Sequence, residues 1–230
     1  MVENPYTPRL ISVAGGAAEQ GKSTLTGLLA GAMAAEAKKV LVIELTQEGR
    51  LSRLRHKEMV SGQFRNQRIP YEIVQVDPAL FHEFIPSYAP GFDLIFIEIP
   101  FLKPFSLFAD VLLLSHLVIC PIYALAANAE ANSAFFRMLA SVRTLKESKK
   151  LSLGVLGLFN KFRPGQPVEV YLELARVYNF SFFSAYLKYG LSYQDELSTY
   201  LPPVPTALQG DITELGSELL EHVKARDPAH

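Results

Sequence analysis

A single cysteine, Cys120, stands in 230 residues. It excludes an internal disulfide and cannot by itself make a zinc site, and its apolar neighbours Val118 and Ile119 mark it as a buried structural thiol. An excess of charge is missing as well. With 22 Lys and Arg against 23 Asp and Glu the net charge is −1, so the chain as a whole attracts neither nucleic acid nor an acidic membrane, and any such binding needs a local patch. No apolar run reaches membrane-spanning length, and Met1 to Arg9 has no apolar signal core. Together these point to a reducing cytoplasm and no membrane insertion. Internal repeats, low-complexity tracts and an interior domain boundary are also lacking. What remains is a chain that is 49% apolar, enough for a substantial core. A short arm over residues 1–8, with Pro5 and Pro8, is expected to precede a single domain over 9–230.

The most informative stretch is Gly16-Ala17-Ala18-Glu19-Gln20-Gly21-Lys22-Ser23, which fits the phosphate-binding pattern G-x-x-x-x-G-K-[ST] without a gap. The apolar run Leu10–Ala14 before it reads as a buried strand. Leu25, Leu28, Leu29, Ala32 and Met33 recur after it at helical spacing. A loop between a strand and a helix is the context the pattern requires, because backbone N–H groups and the helix N-terminus then surround a polyphosphate. In that reading Lys22 reaches the terminal phosphates, and the Ser23 hydroxyl takes a place on Mg²⁺. A chance Gly/Ala-rich turn is the plainer alternative.

Alternation of apolar runs with helical periods predicts an α/β fold, a mostly parallel central sheet flanked by helices on both faces. The helix after the loop is expected over Gly21–Ala37 and a second strand over Val40–Leu45, ending in Thr46-Gln47-Glu48-Gly49. Tyr71–Val76 alternates like a strand, and Asp77-Pro78 reads as a helix N-cap and first position. Phe92–Pro100 is a strongly apolar strand that ends in Glu98. Leu117–Pro121 follows as a short strand. A long helix is expected from about Ala124 to Lys146, strands at Ser152–Phe159 and Phe180–Ala185, and a helix near Val168–Tyr178. Ile212, Leu215, Leu219, Leu220 and Val223 stripe a final helix after Pro205. Its other face holds Asp211, Glu214, Glu218 and Glu221, with Lys224 and Arg226 only at the end, so it is expected to pack on its own domain rather than on a lipid surface.

Two basic stretches are candidate phosphate- or nucleic-acid-facing patches. Residues 50–68 hold Arg50, Arg53, Arg55, Lys57, Arg65 and Arg68 against Glu58, a local charge of about +5. Lys146, Lys149 and Lys150 cluster at the end of the long helix. The plainer reading of the first stretch is a solvated helix and loop.

Three segments in order, Gly16–Thr24, Val40–Ser52 and Phe92–Pro100, resemble the ParA/MinD-type ATPases. The second is similar to that family's V-L-x-I-D-x-D-x-Q-G-N-x-[ST], the third to its Y-D-x-I-x-I-D-x-P. The likeness continues through Ala109–Pro121 to Gly157-Leu158-Phe159-Asn160-Lys161. It implies a P-loop NTPase fold and an ATP- and Mg²⁺-dependent homodimer that binds a surface, such as non-specific DNA, and answers to a partner or adaptor protein. By resemblance the nucleotide is held by Gly16, Ala17, Ala18, Glu19, Gln20, Gly21, Lys22, Ser23 and Thr24, with Asn160 at the adenine. The metal falls to Ser23, Glu44 and Glu98, and catalysis to Lys22, Glu44 and Glu48. Possible nucleic-acid contacts are Arg50, Arg53, Lys146, Lys149 and Lys150.

The chain departs from the family at telling places. The signature lysine after the first glycine is Ala17, and Glu19 replaces a glycine. Glu44 and Glu98 each replace an Asp. Thr46 stands at the second acid of D-x-D and has no carboxylate to act as a base, which leaves Glu48, two residues on, as the substitute. The expectation is therefore a divergent member that binds ATP and hydrolyses it slowly or poorly. It would act as a dimeric switch in partitioning or positioning DNA or a protein cargo. The alternative is a non-hydrolysing scaffold subunit of a conjugation, secretion or surface-polymer system. A metabolic ATP-using enzyme ranks last, for want of a second set of convergent polar residues.

Overall fold

The computed structural model describes residues 8–46, 48–101, 108–189 and 193–224. All of the expected arm except Pro8, together with Gln47 and Arg226, lies outside the described residues. The apolar runs are strands: β1 (Arg9–Val13), β2 (Val40–Glu44), β3 (Glu72–Gln75), β4 (Leu94–Glu98), β5 (Leu117–Ile122), β6 (Gly154–Phe159) and β7 (Ser181–Phe182). They form one sheet in the order β3-β2-β4-β1-β5-β6-β7, and every pairing is parallel. The expected mostly parallel sheet is thus wholly parallel.

Continuous apolar strands are what a sheet covered on both faces demands. Ile11, Val13, Val42 and Phe96 point to one face, against Leu25, Leu28, Leu29 and Met33 of α1 (Lys22–Ala35) and Ile212, Leu215 and Leu219 of α8 (Thr206–Lys224), which follows the one-turn α7 (Tyr193–Glu196). The stripe of the final helix therefore packs on the domain, as expected. The alternate residues Leu10, Leu41, Ile43, Ile95 and Ile97 face the other layer. That layer draws on α3 (Phe81–Tyr88), α4 (Ala109–Leu114), α5 (Ala129–Ser148) and α6 (Val168–Tyr178). Cys120 is buried there, and burial pushes its thiol pKa up.

Boundaries shift where local chemistry competes with apolar pattern. The long helix starts at Ala129 after a short 3₁₀ turn over Ala126–Asn128. β7 keeps two residues of the six expected, because the N–H groups of Ser184 and Ala185 donate to the Glu218 carboxylate of α8. The Asp77 side chain does accept from the Ala79 N–H, at 2.9 Å, and it opens a 3₁₀ turn over Pro78–Leu80 that runs straight into α3.

The basic stretch after β2 becomes α2 (Arg50–Ser61), and it is not uniformly solvated. Leu51, Arg55 and Glu58 share the inward face. The Arg55 guanidinium donates to the Thr199 hydroxyl (2.6 Å), the Thr199 carbonyl (2.7 Å) and the Tyr71 carbonyl (3.2 Å). It lies 5.1 Å from the ring centroids of both Tyr71 and Tyr200. Glu58 accepts from the Thr199 N–H and hydroxyl. This clamp removes one cation and the lone acid from the patch and leaves Arg53, Lys57, Arg65 and Arg68 exposed.

Candidate functional site

The loop Ala14–Gly21 leaves the carboxyl end of β1 at the middle of the sheet and runs into α1. Two residues take left-handed backbone to make the turn, Glu19 at φ 55° and Gly21 at φ 84°. Gly21 caps α1 without any side-chain hydrogen bond, and the first turn holds no acid. Its N-terminal amides thus face outward with a positive dipole, the arrangement that receives an anion.

Glycine is required at two points of the cradle. A β-carbon on Gly16 would lie 2.4 Å from the Ala131 carbonyl oxygen of α5, and one on Gly21 would lie 2.2 Å from the Asn160 amide nitrogen. The loop is therefore seated directly on α5 and on the end of β6. Polar side chains fasten it. Gln20 is fully buried, its side-chain nitrogen Nε2 donates to Asn132 Oδ1 at 3.0 Å, and its main-chain carbonyl accepts from Asn160 Nδ2 at 2.7 Å. The buried Gln20–Asn132 pair was not read from the sequence, where Gln20 counted only as a loop position. Asn160, expected at an adenine, is seen here bracing the loop, with its Oδ1 accepting from the Lys161 N–H. One amide hydrogen and one oxygen lone pair are left for a base. Ala17 and Thr24 are buried, and Ala18 and Glu19 are exposed.

The structure brings Lys22, Ser23 and Glu98 together. The Ser23 hydroxyl donates to Glu98 Oε1 at 2.5 Å. Glu98 lies in register between Val13 and Glu44, and it is 5% exposed. Its Oε2 is buried without a hydrogen-bond partner. Burial pushes the Glu98 carboxyl up to about 7, with the Ser23 hydrogen bond and then the Lys22 and Arg50 charges pulling the other way and Glu44 adding to the rise. Burial likewise holds the Lys22 ammonium below its ordinary range, opposed by Glu98. An unpartnered buried carboxylate oxygen beside a serine hydroxyl, under a ring of amides, is a donor set suited to a hard cation that shares its oxygens with phosphates. Among the described residues no group of three or more His, Cys, Asp or Glu could hold a metal by itself, so such a cation would need the phosphates.

Glu44 requires a correction. It was expected to hold metal and to take part in catalysis, yet it is fully buried and both oxygens are committed to α2. Oε1 accepts from the Leu51 N–H at 2.7 Å, and Oε2 accepts from the Ser52 N–H at 2.9 Å and the Ser52 hydroxyl at 2.5 Å. A carboxylate at a helix N-terminus satisfies otherwise orphaned amides and the dipole together, and that is the work it does here. Thr46 and Glu48 line an open cleft of about 570 Å³ with Leu45, Gln75, Val76, Asp77 and Pro78. The Thr46 hydroxyl accepts from the Glu48 N–H at 3.2 Å, and the Glu48 side chain is exposed.

The nucleic-acid candidates are not one patch. Arg50 is half-buried and Arg53 exposed at the start of α2, by the carboxyl edge of the sheet. Lys149 and Lys150 are exposed beyond α5, which runs back to the opposite edge. Lys146 is a second correction. It is buried on the inner face of α5, its ammonium donates to the Ser115 carbonyl, and burial pushes its pKa down to about 8. It has no surface to offer a phosphate backbone.

The sequence profile of the CobQ/CobB/MinD/ParA nucleotide binding domain matches residues 11–198. A search of curated protein sequences finds no match. Among solved structures the fold is similar to cobyrinic acid a,c-diamide synthase from Mycobacterium smegmatis with bound ATP analogue and magnesium (TM-score 0.70, 16% identity, 96% of this chain and 97% of that one). It is also similar to the septum site-determining protein MinD of Pyrococcus horikoshii OT3 complexed with Mg-ADP (TM-score 0.64, 18% identity, 96% and 100%). A third similar structure is pNOB8 ParA bound to nonspecific DNA (TM-score 0.61, 13% identity, 96% and 100%).

Proposed function

Because the chain belongs to the CobQ/CobB/MinD/ParA nucleotide binding domain family, we propose that residues 9–230 bind ATP with Mg²⁺ and act as a slow, nucleotide-dependent dimeric switch that positions DNA or a protein cargo. The observation that carries this reading is the Ser23–Glu98 pair with its unpartnered Oε2, set beneath the uncapped start of α1. The relatives solved with an ATP analogue and magnesium and with Mg-ADP support the choice of ligand.

In this reading the loop amides and Lys22 hold the phosphate chain, Ser23 and Glu98 hold Mg²⁺, and Asn160 keeps the loop in its binding shape. Bound Mg²⁺ supplies charge neutralisation at the phosphates. The chain's own residues explain slow turnover. Positioning and charge stabilisation dominate phosphoryl transfer, and the position after β2 offers only the Thr46 hydroxyl, already accepting from a backbone N–H. Glu44 is spent on α2, and Glu48 points to solvent.

The test is light scattering of the purified protein without nucleotide, with ADP and with ATP, each with Mg²⁺. An ATP-only dimer supports the switch. One state in all three, or no nucleotide binding, favours a scaffold subunit instead, and brisk ATP hydrolysis without a partner overturns the slow-switch reading.

DNA is a second proposed partner, supported by the exposed cations of α2, by Lys149 and Lys150, and by the DNA-bound pNOB8 ParA. Affinity should fall steeply with salt. Reversing Lys149 and Lys150 should weaken retention, and Lys146→Met should leave it unchanged if the fold is kept. Retention indifferent to ATP, salt and both exposed lysines would remove DNA from the account.

A further inference from the structure

The phosphate loop is poor in positive charge. Its one lysine, Lys22, is buried beside Glu98, Ala17 and Ala18 add nothing, and the exposed carboxylates of Glu19 and Glu48 stand on the same edge. At the mouth of the loop a polyphosphate entering from solvent meets the exposed carboxylates of Glu19 and Glu48, while Lys22 is buried and Arg50 half-buried.

A cation is supplied from the far side of the cradle. Lys161 follows Asn160 directly and takes a left-handed backbone, φ 54°. That conformation is unfavourable for a residue with a β-carbon, and it persists where the surroundings over-determine it, often at functional positions. Two amides fix it here. The Lys161 N–H donates to Asn160 Oδ1 at 2.9 Å, and the Lys161 carbonyl accepts from Gln166 Nε2 at 3.3 Å. The side chain is thereby turned back over the loop. Its Nζ lies 3.5 Å from the Glu19 carbonyl oxygen and 5.5 Å from the centroid of the Tyr123 ring, whose face attracts a cation. An ammonium carries three donors, and the Glu19 carbonyl takes one. Lys161 is half-exposed, and among the described residues no carboxylate pairs with it.

We propose that Lys161 is a further cation of this site, beyond Lys22 and Arg50, a residue that contacts the phosphate chain of a bound nucleotide through the donors the Glu19 carbonyl leaves free. The assignment rests on the nucleotide reading given above. It differs from a bracing role in one respect: bracing needs a donor to the Glu19 carbonyl, whereas contact with phosphate needs charge.

Calorimetric titration of the wild type, Lys161→Gln and Lys161→Arg with Mg-ATP and Mg-ADP separates the two. Lys161→Gln loses the charge and carries its donor one atom closer to the backbone, Lys161→Arg keeps charge and reach, and the salt slope reads the charge itself. The expected result is a loss of about tenfold or more in affinity for Lys161→Gln, near-complete rescue by Lys161→Arg, and a shallower salt dependence for Lys161→Gln than for the wild type. Equal affinities and salt slopes for Lys161→Gln and the wild type overturn the assignment and leave Lys161 a brace. A wild type that binds neither nucleotide overturns the nucleotide reading itself, and this assignment with it. Thermal melting of each variant shows that the comparison is made between folded proteins.

Discussion

Glu98 gives the sharpest test of how this site is built. Its carboxyl is pushed up to about 7 from an ordinary 4.5 because it is buried, with one oxygen satisfied by Ser23 and the other by nothing. A rise of that size corresponds to about 3 kcal/mol between the two protonation states. The folded chain holds the proton up to about pH 7, while the unfolded chain releases it near 4.5. The stability contributed by the neutral acid is therefore complete below about pH 4.5 and is lost as pH rises through 7. Glu98→Gln removes that titration. Its carbonyl can still accept from Ser23, and its amide nitrogen takes the place of the unpartnered oxygen, a cost that does not vary with pH. The difference in unfolding free energy between wild type and Glu98→Gln should thus change by about 3 kcal/mol from about pH 4 to pH 8, to the detriment of the wild type.

A cation at Glu98 reverses the preference, since it favours the ionised carboxylate. Binding of Mg-nucleotide at about pH 6.5 should then release most of one proton, read by calorimetry in buffers of different ionisation enthalpy, and the affinity should rise with pH up to about 8. Both effects should vanish in Glu98→Gln. A stability difference that is flat with pH, or proton release that is the same in both proteins, would refute the assignment of an unpartnered acid waiting for a cation.

Three further outcomes follow from the same geometry. Arg55→Met breaks the clamp on Thr199 and leaves Glu58 buried without its neighbouring cation, which should cost about 3 kcal/mol in urea unfolding; a cost under about 0.5 kcal/mol would mean the clamp is idle. His116 is pushed down to about 4 by burial and then by the Arg9 and Lys146 charges, and its Nδ1 accepts from the Leu10 N–H at 3.1 Å. Its stabilising contribution is present above about pH 6.5 and lost as pH falls through 4, on the order of 3 kcal/mol, so acid unfolding of His116→Gln should lack that component. Gly16→Ala would bring a β-carbon to 2.4 Å from the Ala131 carbonyl; nucleotide affinity should fall by about tenfold or more as the loop lifts from α5, and unchanged affinity would show that the contact yields freely.

The sheet was legible because a buried parallel strand needs apolar side chains on both faces, and Val40–Glu44 and Leu94–Glu98 spell that out residue by residue. The phosphate loop was legible because its glycines and Lys22 are fixed by backbone geometry that few other residues allow. The charges were harder, for a charge count says nothing of the carbonyl or hydroxyl a side chain will find. The spacing did carry the missing signal. Lys146 follows Phe135, Leu139 and Val142 on one helical face, and Arg55 and Glu58 follow Leu51 on another, so each of these ionisable residues sits at a core position. Glu44 was misplaced for a different reason. Its partners are the amides of α2, seven and eight residues on, and a strand-end acid reads the same whether it faces a metal or a helix.

The close seating of Gly16 on Ala131 has a mechanical consequence. No side chain cushions that contact, so a shift of the phosphate loop must be taken up by the axis of α5 rather than by a rotamer. Over its 20 residues α5 is about 30 Å long, and Lys149 and Lys150 lie just past its other end. A tilt of about 2° at the loop then moves those two lysines by about 1 Å. Such a tilt has also to move the Lys146 ammonium against the Ser115 carbonyl that holds the far turn of α5, so that buried contact sets the resistance to any displacement of the two exposed lysines.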